Sequence, residues 1–305
     1  MQQERKLHSL EKVVVVFAML AVLALTVGFA EAGGTQRRAV LKDTHARHGD
    51  ERANVFLRSA VALVQDAETG EVVLGKNSDA VLPIASITKL MTAMVILDSN
   101  LDLEETVTMT REDVDRRKGT RSRLRTGLEL TRDDLLLLAL MASENRAATA
   151  LGRTYPGGRE SFVAAMNGKA RELGMEDTRF ADPTGLSSSN VSSARDLVRL
   201  VNAAHEYELI RDYSTRERAV VEATSGRRLA YRNTNGLVRN PKWDIGLSKT
   251  GYISEAGRCL VMRVKLASKD LVVVLLDSWG KYSRTGDARR IRRWLETAAL
   301  ADERG

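Results

Sequence analysis

Cysteine occurs once in the 305 residues, at Cys259. No internal disulfide can form, and no cysteine-rich zinc site can be assembled. Proline and glycine are sparse, at 4 and 22, which excludes a low-complexity chain. Histidine is scarce too: His8, His45 and His48 lie near the N-terminus, and only His205 falls in a region patterned to fold. The chain contains no G-x-S-x-G elbow, H-E-x-x-H, C-x-x-C, Walker loop or G-x-G-x-x-G. A Ser-His-Asp triad would have to rely on His205, so a hydrolase built from this chain would more naturally use a base other than histidine.

What is present describes a folded, exported protein. Hydrophobic residues make up 43% and charged residues 29%, too hydrophobic for a disordered chain. The length suits one large domain or two unequal ones. The net charge of +7 favours a polyanionic setting, whether nucleic acid, membrane surface or cell-wall polymer, without choosing among them. Arg5, Lys6 and Lys12 precede an uncharged run from Val13 to Ala30, and the run ends in Ala30-Glu31-Ala32, a small-x-small pattern that suits signal peptidase. Residues 1–32 are therefore expected to be a signal peptide or an uncleaved anchor, which places the rest in the periplasm. Export makes nucleic acid a poor partner. Residues 33–54 read as a flexible linker.

Structure is expected to begin near Ser59. Ala60–Gln65 and Val72–Leu74 flank Glu68-Thr69-Gly70 as a hairpin. Helices are expected from Ser86 to Leu97, after Thr131 over Leu135–Met141, over Asn145–Tyr155 and Glu160–Leu173, and over Ala194–Glu206 behind Ser193. Ile245–Lys249, Leu260–Leu266 and Leu271–Leu276 read as an antiparallel meander, the middle strand with one buried face. A last helix over Asp287–Leu300 should turn Ile291, Trp294, Leu295 and Ala298 inward. Strands at both ends with helices between imply one sheet built from the two termini.

Three short patterns carry chemistry. In Ser86-Ile87-Thr88-Lys89, a serine at a helix start faces a lysine one turn on, and the lysine can take the serine proton if its pKa is lowered. In Ser143-Glu144-Asn145, a hydroxyl and an amide sit at a corner between two helices. Lys249-Thr250-Gly251, at the end of an expected strand, offers a cation, a hydroxyl and a close backbone approach. Each pattern alone is weak, because Ser9–Lys12, Ser188-Ser189-Asn190, Arg125-Thr126-Gly127 and Arg284-Thr285-Gly286 are decoys of the same kinds. The three together, in this order and spacing, are a recognised set.

Residues 83–93, 138–148 and 249–251, with Thr178–Leu186 and Arg232–Asn235, resemble the low-molecular-mass penicillin-binding proteins over about Val55 to Leu300. These are D-alanyl-D-alanine carboxypeptidases and endopeptidases, and the likeness is strongest to the endopeptidases. The resemblance implies an α+β, β-lactamase/transpeptidase-like fold: a five-stranded antiparallel sheet with helices on both sides and strands from both chain ends. It also implies one serine peptidase domain over 55–305.

Carried over residue by residue, Ser86 is the acylated nucleophile and Lys89 its base, kept neutral by the charge of Lys249. Ser143 relays the proton, Asn145 holds the substrate amide, and Lys249 and Thr250 hold the peptide carboxylate beside Gly251. The backbone N–H groups of Ser86 and Tyr252 form the oxyanion hole. The implied partners are peptidoglycan peptide stems and β-lactams as covalent inhibitors, with no metal or organic cofactor.

The short stretch after Gly251 and the glutamate at Glu144 favour the endopeptidase over the carboxypeptidase. A β-lactamase would need a deacylating carboxylate, yet no Glu-x-x-Leu-Asn pattern lies between Asn145 and Lys249, and Glu160 reads as a first-turn charge. A non-catalytic wall-binding or β-lactam sensor would be expected to lack one of these residues. The arginines of 111–125 read as a solvated loop, with contact to a wall polymer or an acidic partner as the alternative. Arg289, Arg290, Arg292 and Arg293 read as the wet face of the last helix, with peripheral membrane contact as the alternative. Cys259 reads as a buried small hydrophobe, and His205 as an ordinary helix residue.

Overall fold

Continuous apolar runs along the terminal strands, buried on both faces, build the sheet. A computed structural model describes residues 55–302; the expected leader (1–32) and linker (33–54) lie outside the described residues. β1 (Ser59–Asp66) and β2 (Val72–Lys76) form the N-terminal hairpin. The chain then passes through β3 (Leu82–Pro83), a 3₁₀ turn (Ala85–Thr88) and α1 (Lys89–Asp98). β4 (Thr106–Thr108) and β5 (Glu129–Thr131) bracket the arginine-rich loop. α2 (Arg132–Met141), α3 (Asn145–Arg153) and α4 (Gly158–Glu172) follow, then β6 (Val191–Ser192), α5 (Ala194–His205) and α6 (Glu208–Thr215). β7 (Arg218–Glu222) and β8 (Arg228–Arg232) form a small hairpin. The meander β9 (Asp244–Ile253), β10 (Gly257–Leu266) and β11 (Lys269–Ser278) leads into α7 (Ser283–Asp302). Among the described residues no helix is long and apolar enough to cross a membrane.

The main sheet has the order β2-β1-β11-β10-β9, antiparallel throughout, so β1 pairs with β11 and the two chain ends meet in one sheet. Successive side chains leave a strand on opposite faces. Val61 and Leu63 of β1, Cys259 and Val261 of β10, and Val272 and Val274 of β11 pack under the helices α1–α6. Ala62, Val64, Leu260, Met262, Val273 and Leu275 face α7, where Ala288, Ile291 and Leu295 meet them. The expectation of one buried face on β10 is corrected here: helices cover both faces, so apolar residues occupy both. Each fully buried aliphatic side chain contributes about 1.5–3 kcal/mol relative to exposure.

Other boundaries also moved. Ala298 is exposed, and the inward row of α7 runs through Ala288, Ile291 and Leu295 instead. α6 and the β7–β8 hairpin were not expected, because their residues alternate charge with short apolar runs too brief to show a period. The caps at Thr131 and Ser193 are present as read, each side-chain oxygen accepting the backbone N–H three residues on. Cys259 is fully buried, and burial pushes its thiol up to about 12. Buried Asp287 ties α7 to the start of β1, accepting from Ser59 N at 2.7 Å, Ser59 Oγ at 2.5 Å and Arg58 N at 3.0 Å.

Candidate active site

The chain leaves β3 through Ala85, whose φ is +48°, and this left-handed residue swings it into the 3₁₀ turn that carries Ser86. A non-glycine residue there costs on the order of 1–3 kcal/mol and persists only where its surroundings enforce it. Two passing segments do so. Gly185 (φ +81°) lies so close that a Cβ on it would fall 1.9 Å from the Ala85 carbonyl oxygen and 2.8 Å from Ser86 N. Gly251 of β9 passes on another side, where a Cβ would stand 2.9 Å from Ile84 O and 3.0 Å from Ser86 N. The second corner shows the same device: Ser143, between α2 and α3, has φ +57°. Glu144 then caps α3, its carboxylate accepting from Arg146 N at 3.2 Å.

These turns bring the three patterns together. Lys89 Nζ lies 2.9 Å from Ser86 Oγ, 2.7 Å from Asn145 Oδ1 and 2.6 Å from the Thr184 carbonyl oxygen. Lys249 Nζ donates to Ser143 Oγ at 2.8 Å and to the Thr250 carbonyl at 3.0 Å. Thr250 Oγ1 donates to Thr234 Oγ1 at 2.7 Å. Both lysines are fully shielded from solvent (0% and 1% exposed), while Ser86, Ser143 and Asn145 remain half-open. Tyr252, next to Gly251, is 57% exposed, with the Arg258 guanidinium 4.6 Å over its ring.

The partners of Lys89 fit a neutral amine. Asn145 Oδ1 and the Thr184 carbonyl can only accept, so they use two N–H bonds and leave the lone pair for the Ser86 hydroxyl proton. Burial lowers Lys89 to about 7, against an opposing pull from the carboxylates of Asp182 and Glu144. Burial also lowers Lys249 well below the usual lysine value, helped by the charges of Lys89 and Arg284. Desolvation is the main cause at both lysines, and the repulsion between them disfavours charge on either one.

The structure corrects the expected place of the third pattern. Lys249, Thr250 and Gly251 do not end their strand but lie in the interior of β9, an edge strand. Threonine and a close-packed glycine read as a strand end only while the turn that Gly251 passes is out of view.

Several site residues escaped sequence reasoning. Asp182 is the hub of the loop carrying Thr184: it accepts from the backbone N–H groups of Thr184, Gly185 and Ser187, from Thr184 Oγ1 and from Asn190 Nδ2, at 2.6–3.0 Å. These hydrogen bonds outweigh its burial and hold its pKa below the usual carboxylate range. The Asp-Pro-Thr-Gly run was a visible turn signal. Thr120 accepts from Asn145 Nδ2 at 3.1 Å, so the arginine-rich loop reaches the site and is not merely solvated. Arg284, dismissed as part of a decoy, donates to the carbonyls of Gly251 (2.8 Å) and Cys259 (3.1 Å), bracing β9. Glu160 lies in the first turn of α4. His205 ends α5, its ring packed against Gly246. Among the described residues no cluster of three or more His, Cys, Asp or Glu could hold a metal ion.

A serine, a buried lysine with a lowered pKa and a second lysine–serine pair, set between an antiparallel sheet and a helical layer, define a serine acyl-transfer enzyme of the β-lactamase/transpeptidase fold. Residues 49–280 match the family model described as D-alanyl-D-alanine carboxypeptidase. The chain is 51% identical to a D-alanyl-D-alanine endopeptidase of Pseudomonas aeruginosa over 245 residues, 80% of this chain and 79% of that one. It is 48% identical to the D-alanyl-D-alanine endopeptidase of Escherichia coli over the same shares. The crystal structure of a Streptomyces DD-transpeptidase superposes with a TM-score of 0.73 at 26% identity, covering 79% of this chain and 98% of that one. The chain belongs to the D-alanyl-D-alanine carboxypeptidase family of serine peptidases.

Proposed function

We propose that this protein is an exported D-alanyl-D-alanine endopeptidase that hydrolyses the peptide cross-links of peptidoglycan through an acyl-enzyme on Ser86. The observation that carries this reading is the 2.9 Å contact of Ser86 Oγ with a buried Lys89 whose pKa is about 7. Ser86 Oγ attacks the D-alanyl carbonyl carbon while its proton passes to Lys89 Nζ. The backbone N–H groups of Ser86 and Tyr252 meet the oxyanion. The C–N bond breaks, and the leaving amine takes its proton through Ser143, which Lys249 holds. Water then attacks the ester and restores Ser86. Penicillins acylate the same oxygen.

Asn145 spends one amide hydrogen on Thr120 and has the other for the substrate amide. A substrate carboxylate beside Lys249 and Thr250 would favour the charged lysine that burial disfavours, so the cation is fully formed when the anion arrives. The endopeptidase reading rests on the names of the two relatives just given, and the family description allows carboxypeptidase activity at the same machinery. We assign the leader (1–32) to export into the periplasm, the stretch 33–54 to a linker, and 55–305 to the peptidase domain.

The test is turnover of cross-linked muropeptide dimers and of uncross-linked pentapeptides by the purified protein, with Ser86→Ala as control. Dimers split to monomers by the wild type alone support the endopeptidase. Release of terminal alanine alone makes it a carboxypeptidase. Turnover of neither, with penicillin still bound at Ser86, overturns both.

A further inference from the structure

A cleft opens between loops that also support the reactive site. Its volume is about 840 Å³, and it lies between residues 111–117, the N-terminal end of α4 and the Asp182–Leu186 loop. Two connections join its walls to the catalytic centre. Thr184 lines it and gives its carbonyl to Lys89. Asp115, Arg116 and Arg117 line it, and the turn they begin ends at Thr120, which holds Asn145. No residue of β9 lines it.

The charges of the cleft are unequally spent. Asp115 is consumed by its own turn, accepting from the N–H groups of Arg117, Lys118 and Thr120 and from Thr120 Oγ1 at 2.7–3.0 Å. Those bonds hold its pKa below the usual carboxylate range against the opposing effect of burial. Asp182 is consumed by its loop, as described above. Lys118 turns away to pair with Glu255 beyond β9. Arg111, Arg116 and Arg117 are exposed, line the cleft and enter no ion pair among the described residues. Glu112 and Glu160 remain on the acidic side. The turn that Asp115 rigidifies thus places two consecutive arginines on the wall of a cleft whose loops also hold Lys89 and Asn145. A guanidinium fork suits a carboxylate better than any other peptide group.

We propose that this cleft is a second substrate subsite, in which Arg116 and Arg117 hold a free carboxylate of the peptide stem that acylates Ser86. The proposal rests on the reading that peptide stems are the substrate. It makes Arg116 and Arg117 specificity-determining residues that act on binding, while the acyl-transfer chemistry stays with Ser86 and Lys89.

The test pairs Arg116→Glu/Arg117→Glu with the wild type on two muropeptide dimers, one with free stem carboxylates and one with those carboxylates amidated. The double variant should raise KM for the free-carboxylate dimer about tenfold and leave kcat within twofold. The amidated dimer should bind both proteins alike, and the penicillin acylation rate, which reports an intact Ser86 site, should not move. Added salt should weaken binding of the free-carboxylate dimer to the wild type only.

Equal KM values for both dimers in the wild type, or equal losses on both in the variant, would overturn the subsite. So would variant-sensitive binding to anionic lipid vesicles without any dimer effect. Dimer binding to Ser86→Ala, read calorimetrically with and without the arginine changes, decides the subsite even if the wild type turns over neither dimer. That last result would count against the proposed function alone.

Discussion

Lys89 Nζ stands 2.9 Å from Ser86 Oγ on a side chain with no solvent exposure, and its two remaining partners are oxygen atoms that only accept. A charged lysine here would be desolvated and would have no lone pair for the serine proton. The burial that disfavours the charge therefore also creates the base.

The pH dependence follows from that relationship. With Lys89 titrating at about 7, the penicillin acylation rate should rise through neutral pH and level off above it, as the neutral amine becomes the dominant form. Stopped-flow acylation between pH 5.5 and 8.5 checks this. A flat profile would mean that Lys89 is not the base.

Stability should carry the same signature. Between about 7 and the ordinary lysine value of 10.5, the unfolded chain holds a proton that the native chain has lost, so stability rises with pH across that window. Lys89→Met removes the penalty. It should abolish acylation yet melt above the wild type at pH 6.5, with the gap closing toward pH 10. Thermal melts at several pH values measure it, and a lower Tm for Lys89→Met at pH 6.5 contradicts the account.

Gly185→Ala tests the packing that holds the nucleophile. The added Cβ would meet the Ala85 carbonyl at 1.9 Å with φ at +81°, so backbone must shift. Acylation should fall by about 100-fold or more, because displacement of a reacting group by about an ångström costs that much. Far-UV circular dichroism of the same sample separates a displaced Ser86 from an unfolded chain. Near-normal acylation would show that the turn adapts.

Asp287 should matter for stability and not for chemistry. Its replacement by alanine leaves the buried Ser59 N and the part-buried Arg58 N without their acceptor, while Ser59 Oγ keeps only Ser278 Oγ. The expected loss is about 2–4 kcal/mol. Denaturant unfolding measures it, and acylation per folded molecule should be unchanged.

Cys259 should be silent in the native state. It is fully buried, and burial holds its thiol up to about 12, so little thiolate exists at neutral pH. A thiol reagent should label it only in denaturant, at one equivalent per chain. Rapid native labelling would mean that β10 opens.

The sequence alone determined the kind of chemistry and the order of the parts. Ser86 and Lys89 are neighbours on one turn, so their meeting is local and legible from spacing. The caps at Thr131 and Ser193 and the apolar runs of β1, β10 and β11 are local for the same reason. Tertiary structure decided everything that depends on segments far apart in the chain. Only packing shows that Thr184 completes the shell of Lys89, that Arg284 braces Gly251, that Thr120 grips Asn145, and that Lys249 reaches Ser143 across more than a hundred residues. Propensity and periodicity report a residue's neighbours within a few positions. Burial, which sets the pKa of Lys89 and leaves Arg116 and Arg117 facing an open cleft, is a property of the assembled chain.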